Sequence, residues 1–305
     1  MGVIDALGAG YRIVVRRPYV IAVPVLVDLI IWLLPSFSIL ELIATRLGPE
    51  NSATQPDGVV AFSQISWLLA LFLPPTGLLA ENLGTAGPTI ELTNLGSVLG
   101  MTAVLLGGGA IISSVYLVLI ANAIEGRKVS VELVPVLADK SPKYLALAVG
   151  AIAAMTAITA GFVFLAVGLS VATPSLPGFI AILLGLLLLM ATVGLAVGIF
   201  AASLVMYFAI LALILEPISV PDSIRRSIFF WRSNLGPAIV FVVLVTFMEI
   251  VLAFVWSRLS EATPGLIVSV FGSAFIGTGI SAGSMVFYVN RLSLPHIAAN
   301  DPLGA

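Results

Sequence analysis

Cysteine is absent from this 305-residue chain. That excludes disulfides, thiol catalysis and cysteine-based metal sites, and it leaves the redox compartment undetermined. Histidine occurs once, at His296, so a multi-histidine metal site or histidine acid–base catalysis has little to be built from. Charge is scarce too. Only 9 % of residues are charged, against about 25 % in soluble domains, too few to make a water-facing surface. With 60 % hydrophobic residues and a mean hydropathy of +1.19, the bilayer must be the solvent for most of the chain. The net charge of -2 says little, because in such a chain the placement of Lys and Arg carries the information. Phosphate-binding glycine loops, nucleophile elbows, HExxH and EF-hand loops are all missing. An enzyme is the least favoured class, and no catalytic residue, cofactor, metal or nucleic-acid partner is expected.

What the chain does have is long apolar runs. Six of them, at 19–40, 97–123, 144–171, 179–215, 235–256 and 264–288, are long enough to cross a hydrocarbon core about 30 Å thick. The first is read as an uncleaved span, since no small-x-small cleavage site follows it. Residues 41–96 are polar, carry Glu41, Glu50, Asp57, Glu81 and Glu91, and read as one sizeable outer loop. Inside that loop Ile65–Leu73 would reach only about 14 Å as a helix, which leaves an interfacial or a re-entrant segment as the alternatives. The run 179–215 reads as one long helix, because Gly194–Gly198 offers no Pro, Asn or Asp to turn a hairpin.

The basic residues then set an orientation. With six spans, Arg12, Arg16, Arg17, Arg127, Lys128, Lys140, Lys143, Arg225, Arg226, Arg232 and Arg291 fall on one side, and only Arg46 and Arg258 on the other. That asymmetry places both termini in the cytoplasm of a multi-pass plasma-membrane protein. Each odd span is preceded by an amphipathic stretch, at 3–17, 129–143 and 218–234. In the first, Ile4, Leu7, Tyr11 and Val14 repeat at helical spacing, weakened by the glycines at 2, 8 and 10. In the third, Ile218, Ile224, Ile228 and Trp231 do the same. The three stretches could be copies of one unit of surface helix plus hairpin, although the need for basic cytoplasmic links explains the pattern equally well. The expected fold is thus an all-α integral membrane protein, a single polytopic domain over 1–305 with six transmembrane helices and cytoplasmic amphipathic surface helices.

Few side chains stand out against this background. Asp28 and Glu249 fall within apolar runs, where an ionised carboxylate costs roughly 2.5–3.5 kcal/mol. They are the candidates for a proton or cation site; the plainer reading is a protonated carboxyl bonded to its own helix. Arg12, Arg16, Arg17, Arg225, Arg226 and Arg232 form a cytoplasmic basic collar suited to anionic lipid headgroups, with Glu216 placed to pair with Arg225 or Arg226. Gly194 with Gly198, and Gly279 with Gly283, are small-xxx-small pairs that let helices approach closely, within one bundle or in a homo-oligomer. The glycine- and serine-rich last run could instead be an unwound binding segment. Membrane lipids are the expected partners, with a homo-oligomer or another membrane protein as the remaining choices.

The sequence also carries a resemblance. Ile214-Leu-Glu216, Ser223-Ile-Arg-Arg-Ser227 and Trp231-Arg232, with the opening GYRIVVRRPYVIAVPVLVD over residues 10–28, resemble prokaryotic six-span proteins related to the membrane domain fused to some glycerophosphodiester phosphodiesterases. The resemblance covers most of the chain in layout and implies architecture. The phosphodiesterase domain itself is absent, so no catalytic activity comes with it. The expected role is therefore a non-enzymatic one, as an envelope scaffold or lipid-associated protein. The alternative is a small transporter or channel using Asp28 and Glu249.

Overall fold

Proline placement decides where the first apolar run stops being a helix. The computed structural model describes residues 2–39, 87–127, 133–172, 178–260 and 263–299. Within it α1 covers Val3–Arg16, a 3-10 turn Pro18–Ile21, and α2 Ala22–Leu33. Leu34 is extended (ψ 152°), as the ring of the following Pro35 demands. The chain then forms β1, Ser36–Ser38. The expectation of one helical span over 19–40 is therefore corrected to a short helix followed by a strand. β1 pairs in parallel with β2, Thr89–Glu91, with Phe37 opposite Ile90. The Ile65–Leu73 segment lies outside the described residues.

Six further helices complete the described fold, five long ones and one short amphipathic helix. α3 is Leu95–Ile124, started by the Asn94 side chain accepting from the Ser97 N–H at 2.8 Å. α4 is Leu133–Ala172 and α5 Gly178–Leu215. α6 is Val220–Ser233, α7 Leu235–Leu259 and α8 Thr263–Ala299. Five of these, α3, α4, α5, α7 and α8, are long and apolar enough to cross a membrane. The all-α reading holds, and α5 is one unbroken helix through Gly194 and Gly198. The expected surface helix at 129–143 is corrected in its described part: from Leu133 onward it is the first turns of α4 itself, which continues through Pro142. A proline there removes one backbone hydrogen bond without ending the helix.

The chain divides into two compact units. Unit 1 comprises residues 1–142 and 234–305, and unit 2 residues 143–233. In unit 1, α8 is the shared neighbour of α1, α2, α3 and α7. Ala6, Leu7, Gly10 and Val14 of α1 are buried while Ile4 is 78 % exposed, so the packed stripe is rotated from the one read in the sequence. Gly10 explains the docking. A Cβ there would collide with the backbone of Gly279 and Gly283, and a Cβ on Gly283 would come within 3.0 Å of Leu7 Cα. The glycines that weaken α1 as an isolated helix are what let it cross α8 backbone to backbone. Val27, Ile31, Leu92 and Leu105 form a further core cluster, with Val23, Met101 and Ile112 packed on it. Phe241 stacks on Phe287 at 4.6 Å between α7 and α8.

Unit 2 is simpler. α6 folds back on the end of α5: Phe208 and Phe230 meet at 4.7 Å, and the Ser227 hydroxyl donates to the Val205 carbonyl at 2.6 Å. Ser223, Ser227 and Phe230 are the buried face of α6. Ile228, read as part of the apolar face lying on the membrane, is exposed. At the start of α6 the Asp222 N–H donates to the Ser219 hydroxyl, which in turn donates to the Asp222 carboxylate, a reciprocal cap.

Candidate functional site

The basic residues divide by task. Arg12 and Arg16 of α1 and Arg225 and Arg232 of α6 are exposed. Arg17 is not a free headgroup contact. Its Nη1 donates to the Arg127 carbonyl at 2.8 Å and lies 3.5 Å from the Asn122 carbonyl, clasping the foot of α1 to the end of α3. Arg226 faces Glu216 at 3.5 Å, while Arg225 lies 3.8 Å from Asp222 in an open pair worth little in water. Tyr11, beside the Phe275 ring at 5.8 Å, is half-buried, and burial pushes its phenol above the usual tyrosine range.

The glycine pairs divide as well. Gly279 and Gly283 form the seat of α1, with Tyr11 lying over Gly279. Gly194 and Gly198 have open space where a Cβ would stand, and the surrounding Phe179, Ile182, Leu187, Met190 and Val197 are exposed.

The two carboxyls of the apolar runs sit in different surroundings. Glu249 lies on an exposed face of α7, in a shallow groove with Trp256, Ser273 and Gly277. Asp28 is 2 % exposed, on the face of α2 that also buries Pro24, Val27 and Ile31. Unit 1 also buries polar groups that the sequence reading passed over.

Arg17 anchors the base of α2 to the end of α3. Ser114 Oγ meets Ser141 Oγ of α4 at 2.6 Å. Lys140 is 8 % exposed. On the α8 side the Tyr116 hydroxyl donates to Thr278 Oγ1 at 3.0 Å.

Unit 1 thus buries polar groups on several helices, Asp28 on α2, Ser113, Ser114 and Tyr116 on α3, Lys140 on α4 and Thr278 on α8, of which Ser114 bonds to Ser141 and Tyr116 to Thr278. Asp28 and Lys140 both have interaction partners, and Ser113 Oγ is buried without a hydrogen-bond partner. Lys140 was legible only as one of several charges in a polar link. The available signal was the Ser113-Ser114 pair inside an otherwise apolar run, which asks for a polar neighbour. Among the described residues no group of three or more His, Asp or Glu is placed to hold a metal ion. No family model, curated protein or solved structure matches the chain.

Proposed function

We propose that this chain is a non-enzymatic six-span membrane protein that is held to, and works at, the anionic cytoplasmic leaflet. The observation that carries this reading is the division of labour on α1 and α6. Each helix packs one face into its unit and presents arginines on the other, Arg12 and Arg16 on α1, Arg225 and Arg232 on α6. The sixth span in this reading is Pro18–Leu33, about 26 Å long when its 3-10 turn is counted, and the extended residues to Ser38 lengthen the crossing. An even number of spans keeps Arg12, Arg16 and the Arg225–Arg232 cluster on one side, as the charge asymmetry requires.

Each arginine near an anionic surface is worth about 1 kcal/mol, so neutralising two on one helix weakens headgroup retention by about 30-fold. The experiment is mass spectrometry of lipids retained by the purified protein, comparing wild type with Arg12→Gln/Arg16→Gln and Arg225→Gln/Arg232→Gln. Loss of anionic but not zwitterionic lipid is the expected result. Unchanged retention in both variants sinks the reading. Arg17 and Arg226 are left out because Arg17 clasps α3 and Arg226 pairs with the half-buried Glu216, whereas the Arg225–Asp222 pair is open to solvent.

A second reading, a small transporter, is favoured by one observation: an acid and a base, Asp28 and Lys140, both buried in unit 1. Ionisable groups inside a membrane bundle are expensive to keep, and function is the usual reason they are kept.

A further inference from the structure

Acids inside membrane bundles turn toward protein or toward a water-filled cavity, where other groups share the cost of keeping them there. Glu249 instead faces outward. It lies fourteen residues after Leu235 and seven before Trp256, the two ends of the apolar run of α7, so the nearer end is about 10 Å away. Its side chain is exposed. Among the described residues its carboxyl takes part in no hydrogen bond or ion pair. Asp28, by contrast, is buried and has partners. A carboxyl left bare toward lipid calls for a polar group from outside the chain.

The surroundings of Glu249 narrow what can supply that group. α7 and α8 pack against each other and leave a shallow groove, with Glu249, Ala253 and Trp256 on one wall and Ser273 and Gly277 on the other. The Trp256 ring is seated on Gly272, where a Cβ would come within 2.5 Å of its Cη2. The groove holds about 250 Å³ with its open side counted, below the roughly 300–1,000 Å³ that encloses a drug-sized ligand. It has the size for side chains. Thr246 and Ile250, both exposed, stand beside Glu249 on the edge of α7 turned away from α8, by the 100° advance per residue of a helix. One patch thus carries a hollow and, next to it, a ridge that can fill such a hollow. An isologous two-fold interface needs both on the same surface.

The carboxyl itself is self-complementary. In its neutral form it has one O–H donor and a free carbonyl acceptor, so two of them can satisfy each other through a reciprocal pair of hydrogen bonds. Two copies of this chain inserted in the same orientation carry Glu249 at the same depth. A two-fold axis along the membrane normal then brings the two carboxyls together.

We propose that the Glu249 face of α7 is the contact between two copies of this chain in the membrane. Each Glu249 pairs with its counterpart, and Thr246 and Ile250 of each copy lie over the groove of the other. This inference goes beyond headgroup retention and does not depend on it, because it uses α7 in lipid and none of the cytoplasmic arginines.

The test uses the purified full chain in phosphatidylcholine vesicles over a series of protein-to-lipid ratios. The chain has no cysteine, so a single introduced one reports alone. Thr246→Cys lies beside the expected axis. Phe247→Cys is equally open to lipid but about 100° further round the helix. Mild oxidation should link Thr246→Cys into a dimer that persists on dilution with lipid, and should link Phe247→Cys at least five-fold less. In the Thr246→Cys background, Glu249→Ala should weaken the dimer about 10-fold, by the usual strength of hydrogen bonds between membrane helices. Glu249→Gln, whose amide still donates and accepts, should keep most of it. Should Glu249→Ala fold poorly, the apolar and similarly long Glu249→Met replaces it, with the same expected loss. No dimer from Thr246→Cys, or an equal yield from Phe247→Cys, overturns the interface and leaves lipid or a different membrane protein as the cover for Glu249. An undiminished dimer in Glu249→Ala overturns the carboxyl pair.

Discussion

Gly10 and Gly194 look alike in the sequence and have opposite situations in the fold. Both lie within helices. At Gly10 the backbone of α8 occupies the space a side chain would need, whereas at Gly194 nothing lies within 4 Å of that space. Gly10→Ala should therefore cost about 1–3 kcal/mol through forced separation of α1 and α8. Gly194→Ala should leave stability unchanged or raise it by up to about 1 kcal/mol, since alanine is the better helix former. Thermal unfolding in detergent separates the two; equal effects would mean that α1 is not seated on Gly279 and Gly283. The same contrast holds for the charges. Arg16 and Arg17 are neighbours, yet one is exposed and the other clasps α3 through backbone carbonyls. Lys140, one of several basic residues in a polar link, is buried, and the sequence has no direct record of that.

At the scale of elements, the instructive case is the short helix α2. The apolar run continues past it to Leu40, and hydropathy alone gives no reason to stop. Pro35 does, because it lacks an N–H and forces Leu34 out of the helical region. The extended residues that follow find a partner in β2, with Ser36, Phe37 and Ser38 paired to Thr89, Ile90 and Glu91. A chain without cysteine makes this pairing simple to check. Phe37→Cys with Ile90→Cys should form a disulfide on mild oxidation, since paired strand positions are close enough for one. Adding Pro35→Ala, which lets α2 continue, should reduce its yield several-fold. Absence of the cross-link in the first variant would show that the strands do not pair.

For the whole molecule, the charge asymmetry yields a side for every link. Thr93, between β2 and α3, and Ser233, at the end of α6, are both exposed and fall on opposite sides in the six-span arrangement. Single cysteines at the two positions should label from opposite faces of the membrane, Thr93→Cys from outside and Ser233→Cys only after permeabilisation. Labelling of both from the same face would remove one crossing between them and with it the even span count.

The sequence by itself determined the solvent, the class and most of the helices. Those properties depend on composition and on run length: 60 % hydrophobic residues with 9 % charged ones cannot be folded in water alone, and an apolar run of twenty or more residues in lipid must satisfy its backbone internally as a helix. It also gave α6 within two residues of its observed ends, because the spacing of apolar and basic residues on a short helix is a local property. Tertiary structure alone decided which face of α1 and of α6 is buried, that Gly279 and Gly283 seat a helix while Gly194 and Gly198 do not, and that Lys140 is buried. Each of these depends on which residues distant in sequence come to lie side by side, and in a chain that is apolar almost throughout, hydropathy does not distinguish a face turned to lipid from one turned to another helix.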